Sequence, residues 1–98
     1  MQQRLHLRDL QCFVLVYELR SVSRTADTLD TTQSQVSTRI HRLEQFVGSP
    51  LFARLPHGLA PNLKGEALYP HAKRVLGNLA ELEAELRRLA GPKAFRGE

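Results

Sequence analysis

The feature that most limits the fold of this chain is an apolar seam, in which Leu68, Ala72, Val75, Leu79, Leu82, Leu86 and Leu89 recur at alternating spacings of four and three without a slip. Positions at that interval share one stripe on an α-helix, and a stripe kept for about three heptads matches the a and d positions of a coiled coil. Asn62 offers a cap for such a helix and Gly91-Pro92 a stop. The spacing therefore predicts a helix over about 63–90, roughly 40 Å long at 1.5 Å per residue. A helix of that length outruns a body of roughly 60 residues, so much of the seam needs a surface supplied by another chain. A second copy is the expected cover, and packing back onto the first helix is the alternative. Pro70 falls in the early turns, removes a hydrogen bond to residue 66 and predicts a kink there.

Upstream, Leu10, Phe13, Val14 and Tyr17 recur at threes and fours and define a first helix over Leu7 to Leu19. Ser21-Val22-Ser23 supplies hydroxyls for a second, short helix over about Arg24 to Leu29, with Ala26 and Leu29 facing inward. Asp30-Thr31-Thr32 breaks the pattern, and Thr32 with Gln35 matches a capping box, so a third helix starts near Gln33. Val36, Ile40, Leu43 and Val47 form its inner stripe, and Ser34, Thr38, His41, Arg42 and Gln45 lie on the opposite arc. Gly48-Ser49-Pro50 ends it. Leu51 to Arg54 and Leu59-Ala60 are read as two short strands around a Pro56-His57-Gly58 turn, a small β-wing.

The fold class expected is mainly α: a winged helix-turn-helix of three helices and a short β-hairpin wing, followed by a long dimerisation helix. Residues 1–62 form the head, 63–90 the linker helix, and 91–98 the start of an interdomain linker or tail. With 98 residues there is little room for a second domain. The net charge is +4, and dividing the chain at residue 54 leaves seven basic and five acidic residues on each side. That balance favours a polyanionic partner but gives no basic tail to bind it, so binding must rest on the placement of a few side chains. The start lacks a signal-peptide layout and no apolar run reaches roughly 20 residues, so a soluble cytoplasmic protein with no membrane partner is expected.

A short helix, a tight turn and a second helix with a polar outer face are the parts of a helix-turn-helix. The major groove of DNA admits one α-helix, and short polar side chains near its N-terminus can approach the base edges. Gln33, Ser34, Ser37 and Thr38 are of that type.

The stretch from Leu7 to about Ala90 resembles the N-terminal domain of LysR-type transcriptional regulators. The residues carrying the resemblance are Leu10-Gln11-Cys12-Phe13, Ser21 to Ala26, Gln33 to Ile40 with Leu43-Glu44, Val47 to Arg54, and Pro61 to Leu68. The resemblance implies a third helix that enters the major groove of double-stranded DNA, a wing that reaches the adjacent backbone, and a linker helix that pairs two subunits as a homodimer. It also implies a tetramer formed through a C-terminal domain that binds a small-molecule effector and lies outside this chain. Gln33, Ser34, Ser37 and Thr38 become the base-reading or backbone-contacting set, Ser23 and Thr32 cap helices aimed at phosphates, and Arg54 supports the wing. Family members commonly carry Arg where this chain has Thr38, which removes a bidentate guanidinium and leaves Arg39 and Arg42 to supply phosphate charge. Pro61-Asn62 stands where Leu-Thr is usual; Asn caps as well as Thr, and Pro shortens the second wing strand.

Other candidates are plainer. His41 is read as a solvated histidine rather than a phosphate ligand, His57 at the wing tip is a better DNA candidate, and Arg42 is open between a helix carboxylate and DNA. The histidines show no metal-ligand spacing with one another or with Cys12, which is expected to be a small buried hydrophobe. No nucleophile, base and oxyanion set can be assembled and no glycine-rich phosphate loop is present, so neither enzyme activity nor a cofactor is expected. The rival from another class is a protein-interaction module in which the seam binds a partner helix and the helix-turn-helix is only a scaffold.

Overall fold

The computed structural model describes residues 4–94. Four helices and one hairpin follow in the order α1 (Leu7–Leu19), α2 (Val22–Thr28), α3 (Gln33–Val47), β1 (Phe52–Leu55), β2 (Gly58–Pro61) and α4 (Leu63–Ala94). The predicted class is the observed one. Residues 95–98, part of the expected linker or tail, lie outside the described residues.

Each boundary has a local cause. Asp9 accepts the His6 N–H at 3.2 Å at the start of α1, and Arg20 closes it in the left-handed region at φ 56°. Ser21 Oγ accepts the Arg24 N–H at 3.1 Å, so α2 begins two residues earlier than expected. Ser23 therefore does not cap: it lies inside the first turn, its hydroxyl 3.2 Å from that of Ser21. Thr32 Oγ1 accepts the Gln35 N–H at 3.1 Å, forming one half of the expected box at the start of α3. Gly48, at φ 85°, ends α3 as expected.

Helix α1 runs through the centre of the body and is buried on two sides. Leu10, Phe13 and Val14 meet Leu43 of α3, Leu51 and Ala72 of α4 in one cluster. Cys12 and Val16 meet Ala26 and Val36 in the other, and Phe13 and Val16 have no exposed surface. Cys12 is buried as expected, and burial pushes its thiol up from the ordinary range, which leaves little thiolate for reaction. The inner stripe of α3 is shorter than its periodicity suggested. Leu43 is the last buried residue, and Val47 is 41% exposed because it sits on the final residue of the helix, beyond the turn covered by α1.

Strands β1 and β2 pair antiparallel from Phe52 with Pro61 to Leu55 with Gly58. Pro61 does not shorten the second strand as expected: β2 matches β1 at four residues, and the next hydrogen bond is donated by the Asn62 N–H to the Leu51 carbonyl at 3.0 Å. Asn62 then joins the hairpin to α4. Its Oδ1 accepts the Gly65 N–H at 2.9 Å, and its Nδ2 donates to the Pro50 carbonyl at 2.8 Å.

Helix α4 does not break at Pro70. Inside Leu63–Ala94 only Gly91 leaves helical dihedrals, at φ 67° and ψ 165°. Pro70 is on the exposed side, where the Glu66 carbonyl that it leaves without a donor meets solvent rather than a dry core. The first half of α4 packs on α1 through Leu68, Tyr69, Ala72 and Leu76.

A polar layer fastens the same two helices. The Tyr17 and Tyr69 rings stack at 3.8 Å, the Tyr17 hydroxyl donates to Glu66 at 2.7 Å, and the Tyr69 hydroxyl donates to Glu18, which also pairs with Lys73 at 3.3 Å. The hydrogen bond to Glu18 pushes the Tyr69 hydroxyl up from its ordinary 10.0 to about 12, and the same bond lowers the Glu18 carboxyl below 4.5. Because the folded state holds Tyr69 neutral, its contribution is full below pH 10 and lost as pH rises through about 12. The ionised Glu18 contributes above pH 4.5, and its share is lost as pH falls through the lowered value. Urea unfolding against pH should therefore show Tyr69→Phe flattening both the acid and the alkaline limbs. Identical slopes in the two proteins would contradict this account.

Candidate nucleic-acid interface

Helix α3 presents an uninterrupted polar face. Gln33, Ser34, Ser37, Thr38, His41 and Gln45 are all exposed, and Ser34, Thr38, His41 and Gln45 follow one another at intervals of three and four along one side. These side chains carry donors and acceptors without long aliphatic stems, apart from Gln33 and Gln45, so the helix backbone can approach a partner closely.

Two shallow grooves flank this face. One lies toward the N-terminal arm, where Arg4 and His6 face Thr38, Arg42 and Gln45 of α3. The other lies toward α2 and the wing and takes in Val22, Glu44, Pro50, Phe52, Arg54 and Leu59. Ser37 and His41 border both grooves, so they stand on the ridge between them. The structure thus gathers Ser37, Thr38, His41 and Arg42 on one side and places Arg54 across the ridge. Ser34 and Gln33 lead the ridge at its N-terminal end, with Thr32 just before them as the cap. His57 is exposed in the turn between the strands, and Ser23 is exposed on α2.

The two arginines of α3 are held from beneath by Asp9, a carboxylate with no exposed surface. Arg39 Nη1 donates to Asp9 Oδ1 at 3.0 Å. Arg42 Nε lies 3.8 Å from Oδ2 and, shut off from solvent, has no hydrogen-bond partner among the described residues. A buried carboxylate is costly unless paired, and here one arginine, a second nearby and the His6 N–H compensate it. Of the two arginines expected to meet phosphate, Arg39 is committed to Asp9 and Arg42 stands between Asp9 and the arm-side groove. The choice left open for Arg42, a carboxylate of its own helix or DNA, had omitted this carboxylate on α1.

Sequence reasoning missed Asp9, Arg4, His6 and Glu44. An acidic residue in the first turn of a helix reads as a complement to the helix dipole, and nothing local signals that α3 covers it. Glu44 accepts the Leu51 N–H at 2.9 Å and so ties α3 to the start of the wing, a contact between residues seven apart with a glycine and a proline between them. Among the described residues no group of three or more His, Cys, Asp or Glu is placed to hold a metal, and no helix is long and apolar enough to cross a membrane.

Three helices, a hairpin wing and a long C-terminal helix, with a polar ridge on the third helix, define a winged helix-turn-helix of the regulatory kind. Residues 7–66 match the family model for the bacterial regulatory helix-turn-helix protein of the lysR family, and the chain belongs to that family. It is 40% identical over 77 residues to the HTH-type transcriptional regulator DgdR of Burkholderia cepacia, covering 79% of this chain and 26% of that regulator. This chain therefore spans about a quarter of the length of such a relative. Among solved structures it superposes on the BenM DBD/catB site 1 DNA complex with a TM-score of 0.81 and 30% identity, covering 88% of this chain and 97% of that one. It also superposes on the CbnR DBD–DNA complex with a TM-score of 0.75 and 27% identity, covering 87% and 97%.

Proposed function

We propose that this chain is the DNA-reading and pairing part of a LysR-type transcriptional regulator. Two copies bind an interrupted, dyad-symmetric site in double-stranded DNA, each inserting the α3 ridge into a major groove. The observation that carries this reading is the ridge itself: short polar side chains on one exposed face, with a groove on either side. Gln33, Ser34, Ser37 and Thr38 read base edges or the nearest backbone. Arg54 and His57 of the wing, Ser23 of α2 and Arg42 supply outer contacts, and Arg39 positions Arg42 through Asp9. Residues 1–62 act as the head and 63–90 as the linker helix. Solved relatives bound to DNA support the reading.

The seam supplies the pairing. Val75, Leu82, Leu86 and Leu89 are 43%, 53%, 54% and 65% exposed, so the head leaves these apolar side chains for a second helix to cover. A small-molecule effector would act through a further domain and reach this part only by changing how the two heads are held.

Selection from a library of random duplexes, followed by titration of the enriched duplex and a scrambled one at several salt concentrations, tests the reading. Specific binding should weaken steeply with salt. Ser34→Ala and Ser37→Ala should each shrink the discrimination by about 5- to 100-fold, the range for one lost base contact. Failure of any sequence to enrich, with a folded dimer present, would refute it.

A further inference from the structure

We infer that the groove between the N-terminal arm and α3 is a phosphodiester site whose occupancy is strengthened by protonation of His6 and His41. The inference rests on the proposed DNA binding and assigns to the arm a contact that the helix-turn-helix alone does not provide.

A helix seated in the major groove has a sugar-phosphate strand on each side. The α3 ridge has a groove on each side, and the two differ in charge. The wing-side groove holds Arg54 together with Glu44. The arm-side groove is lined by Arg4, His6, His41 and Arg42, with Ser37, Thr38 and Gln45 as neutral donors and no carboxylate in its lining. The nearest acidic group is Asp9, beneath the groove, whose oxygens are already directed to Arg39, Arg42 and the His6 N–H. Glu44, on the far side of the ridge from the arm, holds the Leu51 N–H. Two fixed cations and two imidazoles therefore converge on one strip of surface.

An anion entering such a groove favours the protonated form of any imidazole it touches. Protonation and DNA binding are then linked, and affinity rises as pH falls. Two imidazolium–phosphate contacts would also release additional counterions, so the dependence on salt becomes steeper at the lower pH. His71 lies on α4, outside this groove and outside the proposed DNA contacts, and should not contribute.

The test is fluorescence anisotropy of the whole chain with a mixed-sequence duplex of about 30 base pairs at pH 8 and pH 6, each at several salt concentrations. Wild-type affinity should rise roughly tenfold from pH 8 to pH 6 at fixed salt, and the salt slope should steepen by about one to two phosphate equivalents. His6→Gln with His41→Gln should remove most of both effects, whereas His71→Gln, on α4 and in neither groove, should keep both. Arg4→Ala should weaken binding at both pH values and reduce the salt slope by about one. The inference is overturned if the double variant titrates like wild type, if His71→Gln abolishes the effect, or if Arg4→Ala leaves the salt slope unchanged. Absence of DNA binding at either pH would instead refute the reading on which it rests.

Discussion

Gly65→Ala lowers the melting temperature of this chain by about 10–20 °C, whereas Gly77→Ala in the same helix leaves it unchanged or raises it. A Cβ on Gly65 would stand 2.3 Å from the Leu51 carbonyl oxygen and 3.1 Å from Pro61 Cβ. The first neighbour is backbone in the segment that enters the wing, and the same Gly65 N–H is taken by Asn62. Relief therefore requires α4 to back away from the body, disturbing the contacts of Leu68 and Ala72 with α1. Overpacking of this kind costs about 1–3 kcal/mol, and the backbone identity of the obstacle places Gly65 at the upper end. Around Gly77 a Cβ meets nothing within 4 Å, and alanine is the better helix former by up to about 1 kcal/mol. Thermal melts followed by circular dichroism decide the matter, and a Gly65→Ala protein melting within two or three degrees of wild type would show the approach to be relaxed at no cost.

The second large effect is on assembly. Leu82→Asp combined with Leu86→Asp should convert the chain to monomers in sedimentation equilibrium while the head melts normally, because both side chains are more than half exposed in the isolated chain. On the proposed dimer four carboxylates would be buried in an apolar seam, a loss that pairing of two short helices cannot absorb. Affinity for a duplex with two half-sites should fall by roughly 10²–10⁴, the advantage that linked binding confers, while affinity for a single half-site changes little. A variant that stays dimeric would move the interface elsewhere.

Periodicity and punctuation made much of this molecule legible beforehand. The seam, the polar ridge of α3, the caps Thr32 and Asn62 and the stop at Gly48 all depend on residues within a few positions of each other, and local physics decides them. What escaped was tertiary. Asp9 and Arg39 are thirty residues apart and meet only because α1 crosses beneath α3. The arm-side groove joins Arg4 and His6 to side chains more than thirty residues later, and no spacing rule connects them. Val47 satisfied the inner stripe of α3 but lies past the end of its cover, since periodicity states which way a side chain faces and not whether anything is there to meet it. Ser21 took the capping role expected of Ser23, since two hydroxyls two residues apart leave the exact turn undecided.

The attachment of α4 to α1 has a further consequence. The stacked tyrosines, the bridged carboxylates and the close approach at Gly65 make each head and its half of the rod one rigid piece. In the proposed pair, the leucine seam then works as a caliper whose opening is set by which heptads meet. A slip of one heptad displaces one head by about 10.5 Å along the rod. That is about three base pairs, close to a third of a turn of the double helix, enough to carry one reading ridge off the face of DNA addressed by the other.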